Sequence, residues 1–315
     1  MSGIVAQGVR RSFGDVHAVA DATFHASPGK VTGLVGPNGA GKTTLMLMLA
    51  SLLAPDAGSI SIEGTDPMAD TGAVRRMLGW MPDALGAWPA LTARESIAMT
   101  ARLHDMSKPD AQQRADELLA LVGLTELADA QARVLSRGQK QKLGLARALV
   151  HDPQVLLLDE PASGLDPAAR IQLRVLLRQL ASQGKTILIS SHVLSELEEV
   201  IDEAVFMVAG STVDAGENVT ARTYRVRILN GYAAASVAET LGLAADSVVD
   251  DRGAALVSFA DEAAAVAGLR ELVSAGVAVA EFAPAQSSLE TSFLALQQHP
   301  QQQQQQQRPN GGAAS

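Results

Sequence analysis

The sequence contains no cysteine among its 315 residues. Disulfide frameworks, thiolate catalysis and cysteine-ligated zinc or iron–sulfur sites are therefore excluded. Positive charge is also scarce, because 25 Lys and Arg stand against 34 Asp and Glu, which gives a formal net charge of −9. A surface of this charge repels nucleic-acid backbones at long range, so we do not expect nucleic acid as a partner.

Long apolar runs are missing as well. The most apolar window covers residues 45–54 and is interrupted by Ser51, whereas a helix needs roughly 18 apolar residues to cross a bilayer. The first residues do not place an apolar segment after a basic one, and Ser2 stands where myristoylation requires glycine. We therefore expect a cytoplasmic protein without a transmembrane segment.

Apolar strand-like runs recur along the first two thirds of the chain, and each precedes a helical pattern. The runs are VTGLVG, VLLLD and TILIS, at residues 31–36, 155–159 and 186–190. This alternation predicts an α/β fold with a mostly parallel sheet covered by helices. Between residues 68 and 150 the pattern is mostly helical and predicts a helical insertion. Its clearest helices are predicted at residues 94–104, 110–122 and 138–150.

The composition shifts towards alanine and valine after Gly216. The order of signals there is strand, helix, strand, strand, helix, strand, which predicts a small α+β domain of ferredoxin-like topology. A last short helix is predicted at residues 288–297, and seven glutamines follow at residues 301–307. We therefore expect three regions: residues 1–220 as the α/β domain, 221–297 as the α+β domain, and 298–315 as a disordered glutamine-rich tail.

Residues 36–43 read GPNGAGKT and match the pattern G-x-x-x-x-G-K-[ST] between a predicted strand and a predicted helix. In such a P-loop, backbone N–H groups and the helix N-terminus face phosphate oxygens, the lysine reaches the outer phosphates and the hydroxyl contacts Mg²⁺. The simpler alternative is a glycine-rich turn that binds nothing. The predicted phosphate-binding residues are Gly36, Pro37, Asn38, Gly39, Ala40, Gly41, Lys42, Thr43 and Thr44, with Thr43 also as a metal ligand.

The run VLLLD is followed by a second acidic residue, Glu160. At the tip of a buried strand, Asp159 is suited to bind Mg²⁺ and Glu160 is suited to orient an attacking water. Taken alone, two such carboxylates are more often solvated loop residues. Because a P-loop precedes them in the chain, we favour the roles of Asp159 in binding Mg²⁺ and of Glu160 in orienting water.

Several further motifs follow in a fixed order. LSRGQ lies at residues 135–139, SGLD at residues 163–166, His192 lies in ISSHVLSELEE, and Phe13 lies in RRSFGDVHAV. With the P-loop, they make residues 4–216 resemble the nucleotide-binding subunit of ATP-binding cassette (ABC) transporters. The resemblance implies a P-loop NTPase fold that binds ATP with Mg²⁺ and hydrolyses the ATP.

In that family, two subunits sandwich two ATP molecules in a head-to-tail dimer. The resemblance therefore implies that Ser136 and Gly138 cap the γ-phosphate bound to the P-loop of the other subunit. It also implies that Phe13 stacks on adenine and that His192 contacts the γ-phosphate. The predicted nucleotide contacts further include Gln139 and Asp166, and the predicted catalytic residues are Glu160, His192 and Lys42.

Each of these residues has a simpler interpretation when it is considered alone. Ser136 precedes a helical run and suits a helix N-cap, a role that is compatible with nucleotide binding. His192 alone suits a hydrogen-bonded turn, and Phe13 alone suits the core. Only the ordered set of motifs favours the nucleotide site.

The sequence departs from the family pattern at Asp83, after GWMP, where the family commonly has a glutamine that contacts Mg²⁺. Aspartate is one methylene shorter, but its oxygens also suit a hard cation. We therefore predict Asp83 as a metal ligand beside Thr43 and Asp159. The alternative is an exposed loop acid.

The resemblance also implies partners. We expect a homodimer of this subunit and a separate integral-membrane permease, which would hold the protein at the inner face of the cell membrane. The small C-terminal domain resembles the extension of drug-export and related ABC-2-type subunits, which favours export of a small amphipathic or hydrophobic compound.

Two alternatives to the transporter subunit remain. The first is a soluble ABC-type ATPase without a permease. Against it, only 93 positions (136 − 43) separate Ser136 from Thr43, with no sustained heptads, and the chain carries one cassette. The second is a non-catalytic ATP-dependent switch, against which Glu160 and His192 argue.

Overall fold

The computed structural model describes residues 3–83, 86, 88–193, 197, 200–213, 222–229, 233–244, 247–251 and 253–285. The chain divides into two compact units, Met1–Asp214 and Ala215–Ser315. The sequence predicts the division six residues later, between residues 220 and 221. Residues 214–221 lie outside the described ranges.

The first unit contains a nine-stranded sheet. Its strands are β1 (Ile4–Phe13), β2 (Val16–Ala26), β3 (Val31–Val35), β4 (Ala57–Ile62), β5 (Leu78–Met81), β6 (Val155–Asp159), β7 (Thr186–Ser191), β8 (Glu203–Val208) and β9 (Ser211–Val213). Their order across the sheet is β4-β1-β2-β9-β8-β3-β7-β6-β5. The three predicted apolar runs are β3, β6 and β7, so the α/β prediction is confirmed.

Five of the eight strand pairings in this sheet are parallel, as the sequence predicts, and three are antiparallel. Neighbouring strands from β8 to β5 are parallel, whereas β1 pairs antiparallel with β2 and β4, and β9 pairs antiparallel with β8. Only Gly14 and Asp15 connect β1 to β2, and Gly14 has φ 56°. A connection this short forms a hairpin, which forces the two strands to be antiparallel.

Six helices of the first unit are α1 (Lys42–Leu49), α2 (Thr71–Met77), α3 (Ala93–Leu103), α4 (Lys108–Leu121), α5 (Arg137–Ala148) and α6 (Pro167–Ser182). Helices α3, α4 and α5 agree with the predicted insertion to within two residues at each end. Side-chain caps fix their first turns, because Thr92 and Ser136 each form a capping box and Ser107 accepts from the Asp110 N–H.

The core of the first unit holds the central strands and the helix that follows β3. Every residue of β3, β6 and β7 is buried, as expected for parallel strands that are covered on both faces. Four apolar residues of α1 are fully buried: Leu45, Met46, Met48 and Leu49. This packing fixes the loop between β3 and α1 against the sheet.

The second unit contains β10 (Arg222–Ile228), α7 (Ala233–Thr240), β11 (Val249–Asp251), β12 (Ala254–Phe259), α8 (Glu262–Ser274) and β13 (Val279–Pro284). The strand order is β11-β12-β10-β13, and all three pairings are antiparallel. The element order agrees with the predicted β-α-β-β-α-β order. Val226, Val257 and Leu272 are central to its apolar core.

Two other predictions fall outside the described residues, the helix at 288–297 and the glutamine-rich tail at 298–315. Among the helices of the described ranges, none is both long enough and apolar enough to cross a membrane.

Candidate functional site

The loop between β3 and α1 follows a path that only glycine permits at two positions. Gly41 has φ 101°, and a Cβ placed there would lie 2.2 Å from the carbonyl oxygen of Ala18. A Cβ on Gly36 would lie 2.3 Å from the carbonyl oxygen of Met207. The loop therefore packs tightly against its neighbours, and the helix N-terminus at Lys42 is left without a side-chain cap.

Lys42 folds back over this loop. Its Nζ donates to the carbonyl oxygens of Gly36 (2.7 Å) and Pro37 (3.1 Å), and the residue is 7% exposed. Burial lowers the pKa of Lys42, whereas the negative charges of Glu160 and Asp159 oppose this shift. The ammonium group is therefore held inside the loop, close to two carboxylates.

Thr43 and Asp159 form the hard-oxygen part of the site. The hydroxyl of Thr43 donates to Oδ2 of Asp159 (3.0 Å), and Asp159 is 1% exposed. Mg²⁺ prefers oxygen ligands and usually takes one or two carboxylates together with substrate phosphates. This hydroxyl–carboxylate pair fits that ion, although the described residues contain no cluster of three or more His, Asp and Glu suited to a metal.

Glu160 lies at the end of β6 in a left-handed conformation, with φ 52°. Its N–H donates to the carbonyl oxygen (3.2 Å) and to the hydroxyl (3.1 Å) of Ser190 on β7. Its Oε1 lies 2.9 Å from Nδ1 of His192. The glutamate side chain is 15% exposed and the histidine side chain 50% exposed, so the pair lies at the edge of the site.

Lys42, Thr43, Asp159 and Glu160 share one open cavity of about 310 Å³, which His192 does not line. Asp83 lines it as well, with an exposed side chain, beside the residues that the sequence assigns to phosphate and metal. The cavity lining comprises Val16, His17, Ala18, Asn38, Gly39, Gly41, Lys42, Thr43, Thr44, Asp83, Asp159 and Glu160. The structure thus brings most of the predicted P-loop residues together with both predicted acidic metal ligands.

Phe13 lies beside this cavity rather than in the core. It is 49% exposed at the end of β1 and pairs with Val16, which lines the cavity. The Arg11 guanidinium lies 4.9 Å from the ring centroid, and Asp56 accepts from Arg11 (2.7 Å). Phe13 itself is not among the residues that line the cavity.

The LSRGQ and SGLD motifs form a second cluster. Ser136 accepts from the Gln139 N–H (3.2 Å) and Gln139 accepts from the Ser136 N–H (2.9 Å), so Ser136 has the N-cap role considered from the sequence. Asp166 caps α6 by accepting from the Ala169 N–H (2.9 Å). A Cβ on Gly138 would lie 2.9 Å from the carbonyl oxygen of Gly164. None of these residues lines the P-loop cavity.

Sequence reasoning missed two residues that hold Glu160 and Asp159. Ser190 donates to Oδ1 of Asp159, and Gln141 Nε2 donates to the carbonyl oxygen of Glu160 (2.7 Å). Serine at the end of the otherwise apolar run TILIS was a weak signal for the first. Gln141 lies among other polar residues of α5 and carries no local signal.

Comparison with known proteins agrees with this geometry. The sequence model of the ABC transporter family matches residues 19–163. The probable multidrug ABC transporter ATP-binding protein YbhF of Escherichia coli K12 is 45% identical over 197 residues. These are 62% of this chain but 34% of YbhF, so the chain spans about a third of the length of that relative.

The Nod factor export ATP-binding protein I of Rhizobium etli is 36% identical over 216 residues, which are 69% of this chain and 68% of that protein. A solved structure of an ATP-binding subunit of an ABC transporter superposes with a TM-score of 0.62 at 27% identity. It covers 67% of this chain and 88% of its own. The chain therefore belongs to the ATP-binding proteins of ABC transporters, a family of ATPases.

Proposed function

We propose that this chain binds MgATP in the cavity between the P-loop and β2 and hydrolyses the ATP. The observation that carries the proposal is the convergence of Lys42, Thr43, Asp159 and Glu160 on one cavity at the N-terminus of α1. The loop N–H groups and the helix dipole favour the phosphates, and Lys42 exchanges its carbonyl partners for the β- and γ-phosphate oxygens. Adenine stacks on the exposed ring of Phe13.

Glu160 has the best placement for positioning the attacking water. Its carboxylate accepts a hydrogen bond from the water, whose oxygen bonds to the γ-phosphorus while the bond from that phosphorus to the ADP oxygen breaks, and the protons of the water remain on the inorganic phosphate that is released. His192, which contacts the same carboxylate, donates to the γ-phosphate. When bound, Mg²⁺ neutralises charge on the β- and γ-phosphates, and Thr43, Asp159 and Asp83 are its proposed protein ligands.

Hydrolysis in this proposal requires a second copy of the chain. Ser136, Gly138, Gln139 and Asp166 do not line the P-loop cavity of their own chain. They are therefore free to meet the nucleotide of a partner subunit in a head-to-tail dimer. Because this chain carries all the motifs that one composite site needs, a homodimer provides two equivalent sites.

We further propose that closure of this dimer drives a separate integral-membrane permease, which holds the protein at the inner face of the membrane. The names of two relatives, one a probable multidrug transporter subunit and one a Nod factor export subunit, favour export of an amphipathic or hydrophobic compound.

ATP binding is tested with Lys42→Ala, which removes the cation facing the outer phosphates. We expect the wild type to bind MgATP in equilibrium titrations and the variant to show no saturable binding. Lys30→Ala is a matched control, because Lys30 is an ion-paired lysine on the same unit, bonded to Glu203 away from the cavity. Equal affinity of wild type and Lys42→Ala would contradict the proposed site.

The permease is tested by gentle detergent extraction of host membranes that contain the tagged protein, followed by mass spectrometry of stoichiometric partners. A multi-span membrane protein is the expected partner, and it is expected to be retained at moderate salt. Recovery of the protein only in the soluble fraction, alone or with ribosomes or DNA, would support a soluble ABC-type ATPase instead.

A further inference from the structure

Helix α5 holds the backbone of Glu160 in addition to β7. Gln141, in the second turn of α5, is 2% exposed, and its Nε2 donates to the carbonyl oxygen of Glu160 (2.7 Å). Ser190 binds the N–H of the same residue. Both polar groups of the Glu160 backbone are therefore fixed by buried residues of neighbouring elements.

The first turn of α5 holds the loop that follows Glu160. The guanidinium of Arg137 donates to the hydroxyl of Ser163 (2.7 Å), and the N–H of Ser163 donates to the carbonyl oxygen of Glu160 (3.1 Å). Gly164 has φ 75°, and a Cβ on it would lie 2.8 Å from Cδ of Arg137. The Arg137 side chain thus packs directly on the backbone of this loop.

The conformation of Glu160 explains why such support is needed. With φ 52°, Glu160 occupies a region that is costly for a residue with a Cβ. Residues persist in such conformations only where the surrounding structure over-determines them. Without the hydrogen bond from Gln141, the Glu160 carbonyl would still accept from the Ser163 N–H, but it would lose its only hydrogen bond to helix α5 among those of the described residues.

We propose that Gln141 is a positioning residue for Glu160, and that Arg137 assists it through Ser163. This proposal rests on the hydrolytic role proposed above for Glu160. Gln141 does not line the P-loop cavity, so it acts on the nucleotide only through Glu160. Its loss therefore lowers kcat and leaves the KM for ATP nearly unchanged.

The test compares Gln141→Met with Lys142→Met in steady-state ATPase assays. Methionine has a similar length to glutamine but no N–H donor. Lys142 is the next residue of α5, and its Nζ makes only an exposed bond to Gln172 (3.3 Å) among the hydrogen bonds of the described residues. We expect Gln141→Met to lower kcat about 10- to 100-fold, the range for a displaced catalytic group, with KM within about twofold of wild type. Lys142→Met is expected to match wild type.

A Glu160→Gln background separates positioning from a general structural role. Because Gln141 acts through the Glu160 carboxylate, Gln141→Met is expected to cause no further decrease in the slow residual hydrolysis of that background, measured in single-turnover assays with excess enzyme. A loss of the same factor in both backgrounds would refute the proposal. A wild-type kcat for Gln141→Met would also refute the role of Gln141, even if Glu160→Gln is inactive. Wild-type turnover by Glu160→Gln would instead refute the proposed function of the site.

A second measurement avoids the buried position, in case Gln141→Met does not fold. Arg137 is exposed, so Arg137→Ala should fold. We expect Arg137→Ala, Ser163→Ala and the double variant to lower kcat by the same factor, because each removes the same hydrogen bond. Multiplicative losses, or no loss from either single variant, would contradict the role assigned to Arg137.

Discussion

Ser190 offers the sharpest test of how the acidic end of β6 is held. Its side chain is fully buried, donates to Oδ1 of Asp159 and accepts from the N–H of Glu160 (3.1 Å). Ser190→Ala removes both bonds without adding bulk. Asp159, which is 1% exposed, then loses a donor that water cannot easily replace.

The expected cost follows from the charge of the acceptor. A hydrogen bond to a charged group contributes about 1.5–3 kcal/mol, whereas the Glu160 N–H keeps the Ser190 carbonyl as an acceptor. We therefore expect Ser190→Ala to lower the free energy of unfolding by about 2 kcal/mol. In a unit of this size, 1 kcal/mol shifts Tm by about 2–4 °C, so a decrease of about 4–8 °C is expected.

Thr186→Val is the matched control. Thr186 is a fully buried residue of the same strand, and its hydroxyl donates to the carboxylate of Glu63 (3.1 Å), away from the cavity. Calorimetry is expected to show destabilisation of both variants, whereas ATPase assays are expected to show lower turnover only for Ser190→Ala. Wild-type Tm and turnover for Ser190→Ala would refute this account of how Asp159 and Glu160 are held.

Three further predictions concern other parts of the chain. Burial, and then the charge of His104, lower the pKa of His151 to about 4 from 6.5. The unfolded chain therefore binds more protons between these values, so stability falls as pH drops through this window, by about 1–2 kcal/mol after allowance for partial exposure. Urea titrations at pH 7 and pH 5 should show a smaller loss for His151→Gln than for wild type. Asp83→Ala is expected to raise the Mg²⁺ concentration for half-maximal turnover several-fold; an unchanged Mg²⁺ requirement would mark Asp83 as an exposed loop acid. Truncation after Pro300 is expected to leave ATPase activity unchanged, and loss of activity would contradict the interpretation of the glutamine-rich tail.

The elements that sequence predicts well carry their own local signals. Helices α3 and α5 begin at capping boxes, Thr92 with Glu95 and Ser136 with Gln139, and their apolar faces keep a helical period. Strands β3, β6 and β7 are short, mostly apolar runs in which every residue is buried. In each case, a short segment of the sequence is enough to indicate the secondary structure and which residues are buried.

The antiparallel strands β1, β2 and β4 lack such a local signal. The register of β1 against β2 shifts between Ala6 and Val9 and again near Arg11, so the alternation of buried and exposed residues is interrupted. Its pairing with β4 joins segments that lie 47 to 58 residues apart in the chain, from Arg10 with Ala57 to Ile4 with Ile62. Neither feature can be read from a local window.

The candidate site divides in the same way. The P-loop is one continuous stretch of sequence, and Asp159 and Glu160 are adjacent residues at the end of an apolar strand, so each can be recognised locally. The structure places residues of both around one cavity. Ser190 and Gln141 reach Asp159 and Glu160 only through tertiary packing, across 31 and 19 residues of sequence. A single sequence cannot distinguish them from other polar residues at strand ends and on helices.

The central claim is that the cavity at the P-loop hydrolyses ATP through Glu160. The most direct measurement compares wild type and Glu160→Gln for steady-state ATP turnover and for dimer mass in the presence of MgATP. We expect turnover by the wild type, and loss of turnover with a stable ATP-bound dimer for the variant. Wild-type turnover by Glu160→Gln, or ATP binding without turnover by the wild type, would contradict the account.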